Sequence, residues 1–214
     1  MSLENIRIKN PQLQIQDVHC ASFRTYGNII DSDIRVAMDY VKNTICPDTK
    51  KGLYQPSVKE LESLCDIQEL SHKVYGYLDV MCGLVTGSNQ VLNGIEYHQG
   101  SETIIAVTDF VLVVGHVWDM YNNTYDSSLC ECFYVPQGTI VECFSTTLHY
   151  TPICVDDDGF CTICLLLKNT GDAVERQGIL KKKNKWFIAH KDNKEKVESG
   201  DYPGLLGEMI KINH

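Results

Sequence analysis

The sequence predicts a mainly β protein in which antiparallel strands follow a short helical segment near the N-terminus. From about Val74 onward, runs of β-branched and aromatic residues alternate with turn residues at short intervals. No long amphipathic helix separates these runs, whereas parallel strands need crossover connections of about a dozen residues or more. We therefore predict an antiparallel sandwich or barrel rather than a parallel α/β sheet.

Two short helices are predicted before the strand-rich region. Apolar residues recur at helical spacing after Asp31 and Ser32, either of which can cap the first helix, and Ser57 has capping-box spacing to Glu60 at the start of the second. We expect residues 1–73 to form an N-terminal strand and helical extension that packs on a barrel of residues 74–214. The whole chain is expected to be one compact domain.

The charge of the chain argues against a nucleic-acid partner. Nineteen basic and 28 acidic residues give a formal net charge of -9, which leaves no basic excess to neutralise phosphates. The N-terminal segment is polar, and no apolar run approaches the length of a membrane span, so we expect a cytoplasmic protein that does not bind membranes.

Ten cysteines are scattered singly along apolar stretches, a pattern that favours reduced, buried thiols over a disulfide framework. Cys161 and Cys164 form a C-x-x-C pair, but positions three apart on a strand point to opposite faces. No second pair completes a zinc site, so we expect no structural zinc at these cysteines.

Polar residues gather around one predicted hairpin. Glu96 and His98 are two apart and therefore project from the same face of a strand, and the turn that follows can bring Glu102 back toward them. Further along, Glu142 and His149 flank another turn. If the sheet closes into a barrel, both can point inward beside the first group.

These residues carry a resemblance to the cupin superfamily, whose strands form a jelly-roll barrel with a site in its mouth. The segment Gly94–Glu102 keeps a His-x3-Glu element of the first cupin motif, with Glu96 where the first histidine would stand. Ser145–His149 is similar to the turn and histidine of the second motif. The resemblance implies an antiparallel cupin barrel with a helical N-terminal insertion.

Within that superfamily, the chain is most similar to ureidoglycolate lyase and to an uncharacterised bacterial family related to it. Phe23–Ile30, Glu96–Glu102 and the segment from Val135 to His149 carry this likeness. Glu102 and Glu142 stand where glutamine and asparagine are expected in the lyase. The resemblance implies lyase chemistry on a small hydroxy acid, ureido compound or sugar derivative.

Three carboxylates that converge in one cavity would repel one another unless they are neutralised. A divalent ion held by His98, Glu102 and His149, with Glu96 or Glu142 as fourth ligand, satisfies this need, and the N2O2 set suits Zn, Mn, Fe or Ni. The alternative is one glutamate held protonated as a general acid without any metal. We expect no organic cofactor.

In the favoured mechanism, Glu102 or Glu142 takes a proton from a substrate hydroxyl while His149 or His98 holds or protonates the departing group. An aldose-ketose isomerase and a non-catalytic small-molecule-binding cupin are the alternatives. A late segment with Lys185, Trp186 and His190 is a candidate lid or substrate contact. A homodimer is expected, because cupins often pair through sheet edges.

Overall fold

The computed structural model describes residues 1–214 as five helices and sixteen strands, joined by turns and short irregular helical segments. The helices are α1 (Leu3–Lys9), α2 (Arg35–Tyr40), α3 (Lys59–Glu62), α4 (Cys65–Tyr75) and α5 (Lys194–Glu198). The strands are β1 (Ile15–Asp17), β2 (Gly27–Ile29), β3 (Leu53–Gln55), β4 (Val80–Gly87), β5 (Gly94–Tyr97), β6 (Glu102–Ala106), β7 (Phe110–His116), β8 (Tyr125–Asp126), β9 (Glu131–Val135), β10 (Ile140–Cys143), β11 (Thr147–Leu148), β12 (Ile153–Cys154), β13 (Phe160–Leu167), β14 (Leu180–Lys182), β15 (Lys185–Ala189) and β16 (Leu205–Leu206).

The strands form two large sheets and two small ones, and nearly all of their pairings are antiparallel. The six-stranded sheet has the order β2-β10-β6-β13-β4-β3, and the five-stranded sheet runs β1-β9-β7-β11 with β12 also paired to β7. A three-stranded sheet has the order β14-β15-β5, and β16 pairs with β8. Only β1 with β9 and β16 with β8 are parallel. The predicted mainly antiparallel β class is confirmed.

The strands do not close into one continuous hydrogen-bonded barrel, which differs from the closed cupin barrel that the resemblance implies. The six-stranded sheet ends at β2 on one side and β3 on the other, and each pairs with one neighbour only. Both are three residues long, and such short edge strands leave few backbone groups unpaired. The architecture is therefore two facing sheets with open edges.

The space between the two large sheets is filled by an apolar core. Side chains alternate along each strand, so Ile104 of β6 and Cys164 of β13 point inward, where they meet Leu112 and Phe133 of the five-stranded sheet. Glu102, two residues before Ile104, points to the same inner face. One end of this interior therefore carries a charged residue.

Helices α2, α3 and α4 cover the outer face of the six-stranded sheet. Leu61 and Leu70 pack on outward-facing strand residues such as Ile105 and Ile163. The Tyr75 hydroxyl at the end of α4 donates to the Leu165 carbonyl at 2.7 Å. The helical extension is therefore joined to the sheet by apolar packing and by a buried hydrogen bond.

Both predicted helix caps differ from the observed ones. The first helix begins at Arg35, four residues after Asp31, and the Asp66 carboxylate of α4 accepts a hydrogen bond from the Ala37 N–H at 2.8 Å. The Ser57 hydroxyl donates to the Glu62 carboxylate at 2.7 Å. A contact from α4 thus replaces the predicted cap of the first helix, and at the second helix Ser57 pairs with Glu62 instead of forming the predicted capping box with Glu60.

All ten cysteines are free, as the scattered pattern predicted. Cys161 packs with the helical layer and Cys164 with the inner core, so the C-x-x-C pair spans opposite faces of β13. No helix combines the length and the apolar character that crossing a bilayer requires.

Candidate functional site

The β5–β6 hairpin delivers three of the predicted site residues. Glu96 lies on β5, and His98 directly follows the end of that strand. A turn in which Gly100 has a φ of 98° then leads to Glu102 at the start of β6. Positive φ favours glycine, so this residue allows the tight reversal. The hairpin folds Glu102 back beside His98, as the spacing predicted.

A backbone pairing brings the fourth residue to the hairpin. The Glu96 N–H donates to the His149 carbonyl at 2.7 Å, and the His149 N–H donates to the Glu96 carbonyl at 3.0 Å. His149 directly follows β11, which pairs with β7 of the five-stranded sheet. The link between the hairpin and the large sheet therefore also sets the position of the second imidazole.

The four side chains form one compact, buried cluster. The ring nitrogens of His149 and His98 lie 3.0 and 3.4 Å from the same Glu102 carboxylate oxygen, and the second ring nitrogen of His98 lies 3.7 Å from Glu96 Oε1. One potential ligand atom from each residue falls within 4.8 Å of all the others. The His98 side chain is 1% exposed and the Glu102 side chain 11%.

The orientation of His149 places a nitrogen lone pair toward a carboxylate. Its Nδ1–H donates to the Thr147 carbonyl at 2.9 Å, while its Nε2 lies 3.0 Å from Glu102 Oε2. A neutral ring that donates through Nδ1 has an unprotonated Nε2. Its lone pair would then face the Glu102 carboxylate oxygen, and two hydrogen-bond acceptors repel each other at this distance. A second ring proton or a bound cation is needed between them.

The pKa values of Glu102, His149 and His98 are shifted by burial and by the contacts within the cluster. Burial by itself raises the pKa of Glu102, but the hydrogen bond from a protonated His149 and the charge of that ring outweigh it and hold the pKa at about 2. Burial lowers the pKa of His149, but its hydrogen bond to Glu102 outweighs that effect and raises it. Burial lowers the pKa of His98 to about 4, so this ring is neutral near pH 7. Glu102 is thus a carboxylate, which disfavours its use as a protonated general acid.

The cluster fits a divalent metal ion by its donor chemistry. Neither ring nitrogen of His98 has a hydrogen-bond partner although both are buried, and an unsatisfied buried polar group costs about 1–3 kcal/mol. Ligands bound at about 2.1 Å from an ion lie roughly 3–3.5 Å apart, close to the separations of Glu102 from the two rings. Imidazole and carboxylate ligands suit Zn, Mn, Fe or Ni.

A lysine and a small cavity adjoin the cluster. Lys185 Nζ donates to Glu96 Oε1 at 2.9 Å, and burial, which would lower its pKa, is outweighed by Glu96, which raises it. The cavity has a volume of about 180 Å³ and is lined by Glu96, Glu102, His149 and Lys185 together with uncharged residues. Because drug-sized ligands occupy cavities of about 300–1,000 Å³, this one suits a smaller molecule.

Glu142 lies outside the cluster, on the opposite face of the six-stranded sheet. Glu142 of β10 pairs with Thr103, whereas Glu102 pairs with Cys143, so the two glutamates point to opposite faces. Glu142 instead accepts hydrogen bonds from Ser101 at 2.7 Å and Asn28 at 2.9 Å. The predicted inward position is therefore corrected, and two carboxylates rather than three converge.

Trp186 and His190 also lie outside the cavity. Trp186 alternates with Lys185 along β15, so it points to the other face and stacks on Tyr97 with ring centroids 5.2 Å apart. His190 is fully buried beyond β15, where its Nδ1 accepts from the Asp192 N–H at 3.2 Å. Of the late segment, only Lys185 lines the cavity.

Tyr54 and Tyr150 both line the cavity, although neither is among the site residues predicted from the sequence. Tyr54 lies on β3, within the predicted helical extension, and its ring centroid is 5.5 Å from Lys185 Nζ. Nothing in the local sequence relates it to the hairpin. Tyr150 could have been predicted as a cavity residue, because it directly follows the predicted site residue His149.

Other, larger cavities lie elsewhere, with volumes of about 220, 500, 570 and 770 Å³. Of these, only the cavity of 220 Å³ is lined by a histidine, His72, and no other group of three or more histidine, cysteine or acidic side chains is close enough to hold a metal ion. The cavity beside the cluster is therefore the candidate site.

Comparisons with known proteins place the chain in a family. The model of a family described as a domain of unknown function, DUF4867, matches residues 15–210. No curated protein matches the sequence significantly. Among solved structures, the chain is similar to the crystal structure of EvdO2 from Micromonospora carbonacea var. aurantiaca complexed with 2-oxoglutarate, with 9% sequence identity and a TM-score of 0.49 over 67% of this chain and 86% of that chain. Because the family model spans most of its length, the chain belongs to the DUF4867 family.

Proposed function

We propose that this chain is a metal-dependent enzyme of the cupin type that catalyses lyase chemistry on a small oxygen-rich metabolite. The single observation that carries the proposal is the buried cluster of two imidazoles and two carboxylates beside a small cavity. The resemblance of the β5–β6 hairpin to the cupin motif supports it.

His98, Glu102 and His149 would hold the ion. Catalytic zinc sites commonly use three protein ligands and keep one position open for water or substrate. The contact of His149 Nδ1 with the Thr147 carbonyl, at 2.9 Å, is the outer contact that orients a metal-binding imidazole. When bound, the ion would act as a Lewis acid that stabilises negative charge developing on a substrate oxygen.

Glu96 would move the proton. Its carboxylate is held by Lys185 at 2.9 Å and lines the cavity, so it is placed to meet a substrate while the other three residues bind the ion. This assigns Glu96 a role different from the fourth ligand expected from the sequence. A carboxylate at this position can serve as general base and then as general acid.

The proposed reaction moves one proton from the substrate to Glu96 and then from Glu96 to the product. Glu96 accepts the proton of a substrate hydroxyl, the oxygen forms a carbonyl, and the bond from that carbon to the leaving atom breaks with its electron pair. Glu96 then delivers the same proton to the leaving atom. Enzyme and proton count are unchanged at the end, and no oxidant or reductant is required.

The test is to incubate untagged protein, with and without added Zn, Mn, Fe(II) or Ni, with ureidoglycolate and with a panel of hydroxy acids, sugars and sugar phosphates. We expect metal-dependent cleavage of a hydroxy acid or ureido acid. Interconversion of aldoses and ketoses without cleavage would contradict the lyase assignment. Tight binding without any turnover would contradict an enzymatic role.

A further inference from the structure

Lys185 has hydrogen-bonding capacity that the protein leaves unused. An ammonium group has three donors, and Lys185 Nζ makes one hydrogen bond, to Glu96 Oε1 at 2.9 Å. Its side chain is 16% exposed and lines the cavity. A cation with free donors in a largely buried cavity is suited to bind an acceptor group of a ligand.

A second lysine lies beside the same cavity without a carboxylate partner. Lys196 Nζ donates to the Tyr150 hydroxyl at 3.0 Å and lies 5.3 and 5.2 Å from the ring centroids of Tyr150 and Phe187. Tyr150 lines the cavity. Lys196 forms no ion pair, although the chain as a whole has a net charge of -9. One ammonium group, that of Lys185, therefore lines the cavity, and a second, that of Lys196, lies behind Tyr150.

The charges around the cavity, counted with a bound divalent ion, favour an anionic ligand. Glu96 and Glu102 are the only acidic residues that line the cavity, and Lys185 compensates one of them. A divalent ion held by neutral imidazoles and Glu102 would leave this group with one net positive charge. An uncompensated charge in a buried site is costly, and a monoanionic ligand would remove it.

Resting on the proposed function, we infer that the substrate of this site is a short carboxylic acid whose carboxylate binds Lys185, and not a neutral sugar. Glu96 keeps the Lys185 ammonium in place. Lys196, which contacts the Tyr150 hydroxyl, adds a second positive charge that attracts the carboxylate. The lining also has an apolar part, formed by Val85, Ile104 and Leu166. The cavity therefore fits a compact acid with one charged end and a small apolar part.

Three probes test the inference on the wild-type protein. Calorimetric titrations of metal-loaded, untagged protein would compare glycolate, its neutral analogue glycolamide, and inorganic phosphate. We expect glycolate to bind at least about tenfold more tightly than glycolamide, since a charge-assisted hydrogen bond is lost with the charge. Equal affinity for the two would overturn the inference, and tighter binding of phosphate would overturn the assignment to a carboxylate.

A matched pair of variants assigns the effect to Lys185. In Lys185→Met, we expect the preference for glycolate over glycolamide to fall to about threefold or less, because the ammonium donors are removed. Lys183→Met, which changes an exposed lysine of the same hairpin, should keep the wild-type preference. Unchanged preference in a folded Lys185→Met protein, with folding checked by its thermal transition, would overturn the role of Lys185.

The metal content separates this inference from the proposed function. Elemental analysis of the same samples comes before any ligand is added. Wild-type protein that binds metal but does not distinguish glycolate from glycolamide refutes the carboxylate inference alone. Wild-type protein that binds no divalent metal refutes the proposed function, and with it the charge balance from which the carboxylate was inferred.

Discussion

Glu96 and His149 exchange both of their backbone hydrogen bonds, at 2.7 and 3.0 Å, although they lie far apart in the sequence. In such an antiparallel pair, the two side chains point to the same face. The pairing joins the β5–β6 hairpin to the five-stranded sheet and places an imidazole beside two carboxylates. The backbone thus holds the cluster in position.

Glu102→Gln should abolish stoichiometric metal binding, because Glu102 is the residue that both imidazoles approach, at 3.0 and 3.4 Å. Elemental analysis of the purified variant measures this. Glu142→Gln is the matched control, because Glu142 lies on the opposite face of the sheet and should leave the metal content unchanged. Equal metal content in Glu102→Gln and wild type would contradict the ligand assignment.

Glu96→Gln should keep the metal and lose activity. The amide oxygen can still accept a hydrogen bond from Lys185, but the amide cannot take up a proton, so we expect kcat to fall about 10²–10⁴-fold on the substrate identified by the panel. Elemental analysis and steady-state kinetics on one sample measure both properties. Loss of metal from this variant would instead make Glu96 a ligand.

Tyr75→Phe should destabilise the protein by about 1–3 kcal/mol, since the Leu165 carbonyl and the Thr103 N–H both lose a buried partner. Urea unfolding measures this. Tyr77→Phe is the control, because Tyr77 is 79% exposed and should change stability by less than about 0.5 kcal/mol. Equal effects of the two changes would show that the Tyr75 hydroxyl contributes little to joining α4 to the sheet.

Iodoacetamide at pH 7.5 should label Cys46 and Cys65 of the native protein first, because these two thiols are exposed. Burial raises the pKa of Cys161 to about 12, and the thiolate is the reactive form, so buried cysteines should react only after unfolding. Mass spectrometry of peptides from timed samples identifies the labelled positions. Rapid labelling of Cys143 without denaturant would contradict the buried core between the sheets, because this thiol packs in that core away from the cavity.

The part of the site that is local in sequence was predictable. Glu96 and His98 share a face because side chains alternate along a strand, and the Gly100 turn returns Glu102 to them. The convergence of His149 depends on a backbone pairing between distant segments. No local pattern encodes that pairing, so it could be expected only from the resemblance to cupins.

The wrong position predicted for Glu142 and the omission of Tyr54 both come from strand pairing, which local sequence does not determine. Glu142 was expected to point inward, but pairing with Thr103 turns it outward, since a shift of one residue reverses every side chain of a strand. Tyr54 reaches the cavity because β3 pairs with β4, and nothing in its neighbourhood indicates that pairing. The antiparallel class was evident from the strand and turn pattern, whereas sheet closure depends on which edges meet.

Metal content is the decisive test of whether His98, Glu102 and His149 together bind one divalent ion. Protein purified without a histidine tag, reconstituted separately with Zn, Mn, Fe(II) and Ni and freed of excess metal, would be assayed by elemental analysis. We expect about one ion per chain for at least one of these metals, as for a single preformed site. Negligible retention of all four would contradict it.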